Sequence, residues 1–281
     1  ILNQHEKALE FKLRAYEMQR RLFGDIENKD MVDSLSSIAV SYERLSQYGK
    51  ALEYKLKAYE MQKRLFGAEK DSDYVANSLF NIGVSYSRLN QNERALEFKL
   101  KAYEMQRRLF GDKENKDVAY SLNSIAVSYE RLNQHDKALE FYLKAYEMNR
   151  RLFGDGRDNE DVAQNLFGIG VSYSNLNQNQ KALEYHLRAY EMQMRLFGAD
   201  KDSEDLADSL FNIGVSYSRL NLNEKSLEFK LKAFEMRKRL FGDDNYNHPS
   251  IRSSLNGIIF TYNKLNDKSN VNKYQNILNS I

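Results

Sequence analysis

Residues 94–111 read RALEFKLKAYEMQRRLFG, and the phrase returns with scattered exchanges at Lys7, Lys50, Lys137, Lys181 and Lys225. A second phrase alternates with it: SLSSIAVSYERL at Ser34, SLFNIGVSYSRL at Ser78, SLNSIAVSYERL at Ser121, NLFGIGVSYSNL at Asn165, SLFNIGVSYSRL at Ser209 and SLNGIIFTYNKL at Ser254. The period is 43 or 44 residues, rising to 45 at the last unit, and the variation falls between the phrases. Self-similarity on this scale marks a repeat architecture, in which each unit buries its apolar faces by stacking on its neighbours.

Both phrases read as helices. In 94–111, Ala95, Phe98, Ala102, Met105 and Leu109 form one stripe of a 3.6-residue period, and Leu96, Leu100, Tyr103 and Phe110 form a second. A helix apolar on two faces must be covered twice, by its own partner and by the next unit. The third face carries Glu97–Lys101 and Glu104–Arg108, i,i+4 pairs in the favourable order that recur in every copy, and it reads as a solvated surface.

The punctuation fits. Gly24, Gly67, Gly111, Gly154, Gly198 and Gly242 each follow Leu-Phe, where a glycine can end a helix at positive φ without a Cβ penalty. Asn28, Ser72, Asn115, Asn159 and Ser203 are N-cap types followed by acids that suit the positive end of the helix dipole. The last loop reads Asn247-His248-Pro249, with the only proline of the chain at a first helical turn. Between the phrases of a unit stand Ser46, Asn90, Asn133, Asn177, Asn221 and Asn266, which suit a left-handed helix end. Each unit is thus an antiparallel hairpin of an A and a B helix, and the count predicts thirteen helices.

Composition narrows the function. Among 281 residues, 42 are basic and 40 acidic, a net charge of +2 that argues against a phosphate-backbone binder, so no nucleic acid partner is expected. The absence of cysteine removes disulfides, thiolate metal sites and cysteine nucleophiles. Mean hydropathy is -0.71, and no apolar run approaches a membrane span or signal core, so a cytoplasmic chain with no membrane partner is expected. His5, His135, His186 and His248 fall in different units or columns, and no phosphate loop, GxSxG or HExxH occurs. No catalytic, cofactor or metal site is expected, and the chain is read as not an enzyme.

In the second unit, Leu79, Ile82, Gly83 and Tyr86 of the A helix and Ala95 and Ala102 of the B helix stand at the spacing of a large residue, an aliphatic, a small residue, an aromatic and two alanines. On these residues the chain resembles the tetratricopeptide repeat, in the long-repeat form found in kinesin light chains and related scaffold and sensor proteins. The His248-Pro249 pair resembles their inter-repeat loop. HEAT and armadillo arrays share the period, but the paired alanines favour the tetratricopeptide type. One departure stands out: the family's usual B-helix aromatic falls on Lys12, Lys55, Lys99 and Lys230, with Tyr142 and His186 in the other copies. A shifted register or rotation of the B helix is expected from it.

The resemblance implies an all-α, right-handed superhelical solenoid forming a single repeat domain over 1–281. It divides into a partial first repeat at 1–24, full repeats at 25–67, 68–111, 112–154, 155–198 and 199–242, and a closing repeat with a capping helix at 243–281. It also implies a protein-binding scaffold with a concave groove lined by the A helices. The groove columns in the second unit are Asn77, Phe80, Val84, Ser87 and Arg88.

Along the chain these columns give an apolar floor of Val40, Val84, Val127, Val171, Val215 and Phe260 with Phe80, Phe167 and Phe211. Asn123 takes the phenylalanine column in the third unit. Beside the floor runs a basic rail of Arg44, Arg88, Arg131, Arg219 and Lys264, broken by Asn175. Two readings stay open: partly buried valines with arginines paired internally, or a groove for a peptide with apolar anchors and acidic groups.

The opening Ile1-Leu2-Asn3-Gln4 copies the tail of an A helix, so a fragment boundary is expected, with an open end at Leu9, Leu13 and Tyr16 for end-to-end self-association. A sensor array within a larger signalling NTPase is a further alternative.

Overall fold

The structure is a computed structural model that describes residues 2–24, 26–67, 71–198, 201–242 and 245–279. Among the described residues it holds thirteen α-helices and no strand. They are α1 (Leu2–Phe23), α2 (Lys29–Arg44), α3 (Tyr48–Phe66), α4 (Asp73–Arg88), α5 (Asn92–Phe110), α6 (Lys116–Arg131), α7 (His135–Phe153), α8 (Glu160–Asn175), α9 (Asn179–Phe197), α10 (Glu204–Arg219), α11 (Asn223–Phe241), α12 (Pro249–Lys264) and α13 (Lys268–Asn279). Even numbers are A helices and odd numbers B helices. No helix among the described residues is long and apolar enough to cross a membrane. The chain forms two compact units, Ile1–Gln134 and His135–Ile281.

Within a hairpin the A helix ends in one recurring turn. Ser46, Asn90, Asn133, Asn177, Asn221 and Asn266 take φ between 56 and 61°. One residue later an amide donates back to a tyrosine carbonyl, as Gln47 N does to Tyr42 O at 2.9 Å and Gln91 N to Tyr86 O at 3.0 Å. That six-to-one bond with a left-handed residue closes the orphan carbonyls of the helix end. The B helices end differently. Their glycines have positive φ as expected, but ψ is 131° at Gly67, 148° at Gly198 and 139° at Gly242, outside the left-handed helical well. The chain therefore leaves these three B helices extended, through backbone that only glycine enters without strain.

A-helix isoleucines at one position per repeat seal the core: Ile38, Ile82, Ile125, Ile169, Ile213 and Ile258 are fully buried, each worth roughly 1.5–3 kcal/mol of transfer free energy. The B-helix alanines Ala95 and Ala102 have no exposed surface, which sets the close approach of paired helices. Phe98, on the B helix, stacks on Tyr86 of its own A helix with ring centroids 5.3 Å apart.

Two expectations are corrected here. Glu97–Lys101 pairs as read, at 2.6 Å, but Arg108 turns from Glu104 and forks onto Asp71 with both bonds at 2.8 Å. The same clamp joins Arg64 to Glu27, Arg195 to Asp158 and Arg239 to Asp202, tying the ends of α3, α5, α9 and α11 to the loops that start their own A helices. In α1, Leu9, Leu13 and Tyr16 are not the open face, because they pack on Ile38, Tyr42 and Ala51 of α2 and α3. The exposed large apolar side chains of α1 are instead Phe11, Met18, Leu22 and Phe23.

Candidate functional site

The groove columns lie on one face of the A helices within each compact unit. In the first unit, Asn77 is exposed near the start of α4, Val84 and Val127 are half-buried, Val40 is exposed, and Arg44, Arg88 and Arg131 are exposed. Phe80 is only 8% exposed and belongs to the core cluster of Val75, Leu79 and Ala102. Its ring lies 5.4 Å from that of Tyr120, which is 59% exposed and which the sequence reading passed over. Asn123 is half-buried.

In the second unit, Phe167, Val171, Phe211 and Val215 are half-buried, while Arg219, Lys264 and Asn175 are exposed, as is Phe260 at 54%. Phe211 lies 5.0 Å from the Arg237 guanidinium. Arg237 is buried and held by Asp208 at 2.5 Å and Ser254 Oγ at 2.6 Å. Of the phenylalanines in these columns, only Phe80 is buried; Phe167 and Phe211 are half-buried like the valines beside them.

The basic columns are partly engaged. Arg88 reaches Glu43 at 3.4 Å and lies 5.3 Å from the Tyr48 ring. Arg131 donates to the Ser87 carbonyl at 3.2 Å, Lys264 to the Ser218 carbonyl at 3.3 Å, and Arg219 to the Ser174 carbonyl. Each of these carbonyls lies in the last turn of the preceding A helix, whose dipole favours a cation. A guanidinium has five donors, so one such bond leaves others facing solvent.

Behind the basic columns runs a buried slot that explains the family departure. Lys99 is 3% exposed, and its ammonium donates to Ser87 Oγ at 3.0 Å, to Ser124 O at 3.2 Å and to Ser128 Oγ at 2.8 Å. Lys12 reaches Ser41, Lys55 reaches Ser85 and Glu43, and Lys230 reaches Thr261 in the same way. His186 places Nδ1 3.1 Å from Ser216 Oγ.

The B-helix register is therefore not shifted. The lysine stem fills the place of an aromatic ring, and its tip finds a hydroxyl on the next A helix. At Lys99 and His186 the side chain lies close against a glycine: a Cβ at Gly83 would sit 2.7 Å from Lys99 Cγ, and one at Gly170 only 2.4 Å from the His186 ring, whereas the hairpin of Lys55 carries Ala39 at the matching place.

Burial first, and the nearest basic-column cation second, disfavour charge in the slot. They push Lys99 down to about 8, with Arg131 the second cause, and Lys230 down to about 8, with Lys264 second. His186 falls to about 4, with Arg219 second. Lys12 is lowered by burial and then by Arg44. Among the described residues, no group of three or more His, Cys, Asp or Glu is placed to hold a metal ion.

This geometry defines a class: a stacked array of helical hairpins with one open face on its A helices. A tetratricopeptide-repeat family model matches residues 30–108, 117–195 and 161–239, and the chain belongs to that family. Among solved structures it is similar to BtubC (BKLC) from P. vanneervenii, at 23% identity over 85% of this chain and 92% of that one, with a TM-score of 0.67. A Podospora anserina protein described as a kinesin light chain with nearly identical TPR-like repeats matches at 14% identity over 77% and 99%, with a TM-score of 0.63. YrrB, a TPR protein with an unusual peptide-binding site, matches at 20% identity over 85% and 97%, with a TM-score of 0.51. No curated protein sequence matches the chain.

Proposed function

We propose that the chain is a protein-interaction scaffold, with a binding and not a catalytic role, that takes a peptide or protein partner along the A-helix face of its units. One observation carries the reading. On the same helices Leu79, Ile82 and Ile125 are sealed in the core, whereas Val84, Val127 and Val215 stay half-open beside Arg88, Arg131 and Arg219, whose guanidinium groups have spare donors. Such a face suits a partner with apolar anchors against the valines and carboxylates at Arg88, Arg131 and Arg219, which a guanidinium can hold in two-point fashion. The peptide-binding site of YrrB lends support by fold alone.

The test is fluorescence anisotropy with labelled acidic peptides bearing spaced leucine or phenylalanine anchors. Val127→Asp combined with Arg88→Glu is expected to weaken capture at least tenfold, with the melting curve retained. Unchanged affinity in that variant overturns the assignment.

A further inference from the structure

Away from the A-helix columns, α7, α8 and α9 enclose a cleft of about 410 Å³ whose lining holds four guanidinium groups, from Arg150, Arg157, Arg188 and Arg195. Glu191 is the single acid among the lining residues. Two of the cations are already balanced: Arg150 by Asp155 at 2.7 Å and Glu147 at 3.3 Å, and Arg195 by Asp158 at 2.9 Å. The other two are not. Arg188 reaches Glu184 only at 3.9 Å, and no acid among the described residues pairs with Arg157.

The first unit supplies an internal control. The matching cleft among α1, α2 and α3, about 580 Å³, is lined by Arg20, Lys57 and Arg64 against Glu27, Glu53 and Glu60, so its charges balance. The difference is written in the loop before α8. GDGRDNED at 154–161 is one residue longer than GDIENKD at 24–30, and it sets Arg157 where the first unit has Ile26. Gly154 and Gly156 both take positive φ, and Arg157 Cδ folds to 3.8 Å from where a Gly154 Cβ would stand. An aliphatic wall of Val162, Leu166 and Met192 completes the cleft.

Tyr146 supplies the remaining chemistry. Its ring has guanidinium carbons at 5.5 Å (Arg150) and 5.8 Å (Arg188), and its hydroxyl accepts a 2.7 Å bond from Arg188. A phenol that accepts from a cation keeps its own proton to donate. Unbalanced planar forks, a hydroxyl donor and an aliphatic wall in one cleft match a group with several acceptor oxygens and more than one negative charge, carried on an apolar body.

We infer that this cleft binds a phosphate monoester with an apolar or aromatic body: Arg157, Arg188 and the Tyr146 hydroxyl take the phosphate oxygens, and Val162 and Met192 take the organic part. The site is independent of the A-helix face, so either reading can fail alone.

Calorimetric titration of the whole 281-residue chain tests it, with phenyl phosphate as the probe beside phenol and inorganic phosphate. Phenyl phosphate is expected to bind at least tenfold more tightly than either half. Arg157→Gln and Arg188→Gln are each expected to weaken it about tenfold, and Arg64→Gln in the balanced cleft to leave it unchanged. A short phosphotyrosine peptide in a parallel titration separates the two sources of the group: tighter binding than phenyl phosphate points to a modified side chain, equal or weaker binding to a free small molecule. Equal affinity for phenyl phosphate and inorganic phosphate, no saturation at millimolar probe, or undiminished binding in Arg157→Gln overturns the inference. Arg157 is an exposed loop side chain, so its replacement leaves the fold intact.

Discussion

Lys99 in the first unit and His186 in the second occupy the same place in the repeat, and the slot treats them alike although one carries an ammonium and the other an imidazole. Each fills the space opposite a glycine, Gly83 or Gly170, and each ends on the hydroxyl of a serine in the next A helix, Ser128 or Ser216. The slot thus selects length and a polar tip, and leaves the charge open. The difference lies in stiffness and in the pH at which each tip gains a proton. A lysine stem can bend away from an intruding atom, whereas a ring cannot.

The most disruptive way to break the likeness is Lys99→Glu, which turns an acceptor toward the Ser124 carbonyl and strands a buried carboxylate. A loss of about 3–5 kcal/mol is expected by urea denaturation, and a loss under about 1 kcal/mol would show the slot to be open to water.

Stiffness comes next. Gly170→Ala is expected to cost about 2–3 kcal/mol, because the new methyl meets the His186 ring, and Gly83→Ala about 1–2 kcal/mol, because Lys99 can yield although the Ala95 carbonyl at 3.0 Å cannot. Equal costs, or the reverse order, would remove the distinction between ring and stem.

The smallest effect is the sharpest diagnostic. Lys99 has a folded pKa of about 8 against an ordinary 10.5, so between those values the unfolded chain holds a proton that the folded slot does not, and stability rises with pH across that window. His186, at about 4 against 6.5, gives the same sign lower down: stability falls as pH drops from 6.5 toward 4. Lys99→Met should lessen the alkaline rise, leaving the share that Lys230 contributes over the same window, and His186→Gln should lessen the acid fall, each leaving the other limb as it was. Melting temperatures taken across both windows would expose any cross-effect.

The hairpins were legible because each of their signals is local: the Leu-Phe-Gly stops, the Asn turns and the caps lie within a few residues of what they control. The slot was not, because a lysine on a helix reads as a solvated side chain until its partner is known. That partner, Ser128 for Lys99, lies 29 residues downstream inside the inconspicuous VSY of the second phrase. Arg108 misled for a similar reason. Glu104 sits at the favourable local spacing, but the loop carries Asp71 to a better fork, and only the fold ranks the two. On the A-helix face the spacing picks out columns of side chains but leaves the burial of each one open. Phe80 turns into the core, while Tyr120, one column over, stands out.

The clamp from Arg64 to Glu27 recurs at Arg108–Asp71, Arg195–Asp158 and Arg239–Asp202, always 37 residues apart, although the repeat itself runs from 43 to 45. From acid to arginine each of these four hairpins is therefore a cassette of fixed length, and the slack falls in the few residues before the acid. Unequal recombination between copies of the underlying gene segment would add or delete whole cassettes without disturbing a single joint, so related chains should differ in their number of units far more readily than in the length of any one.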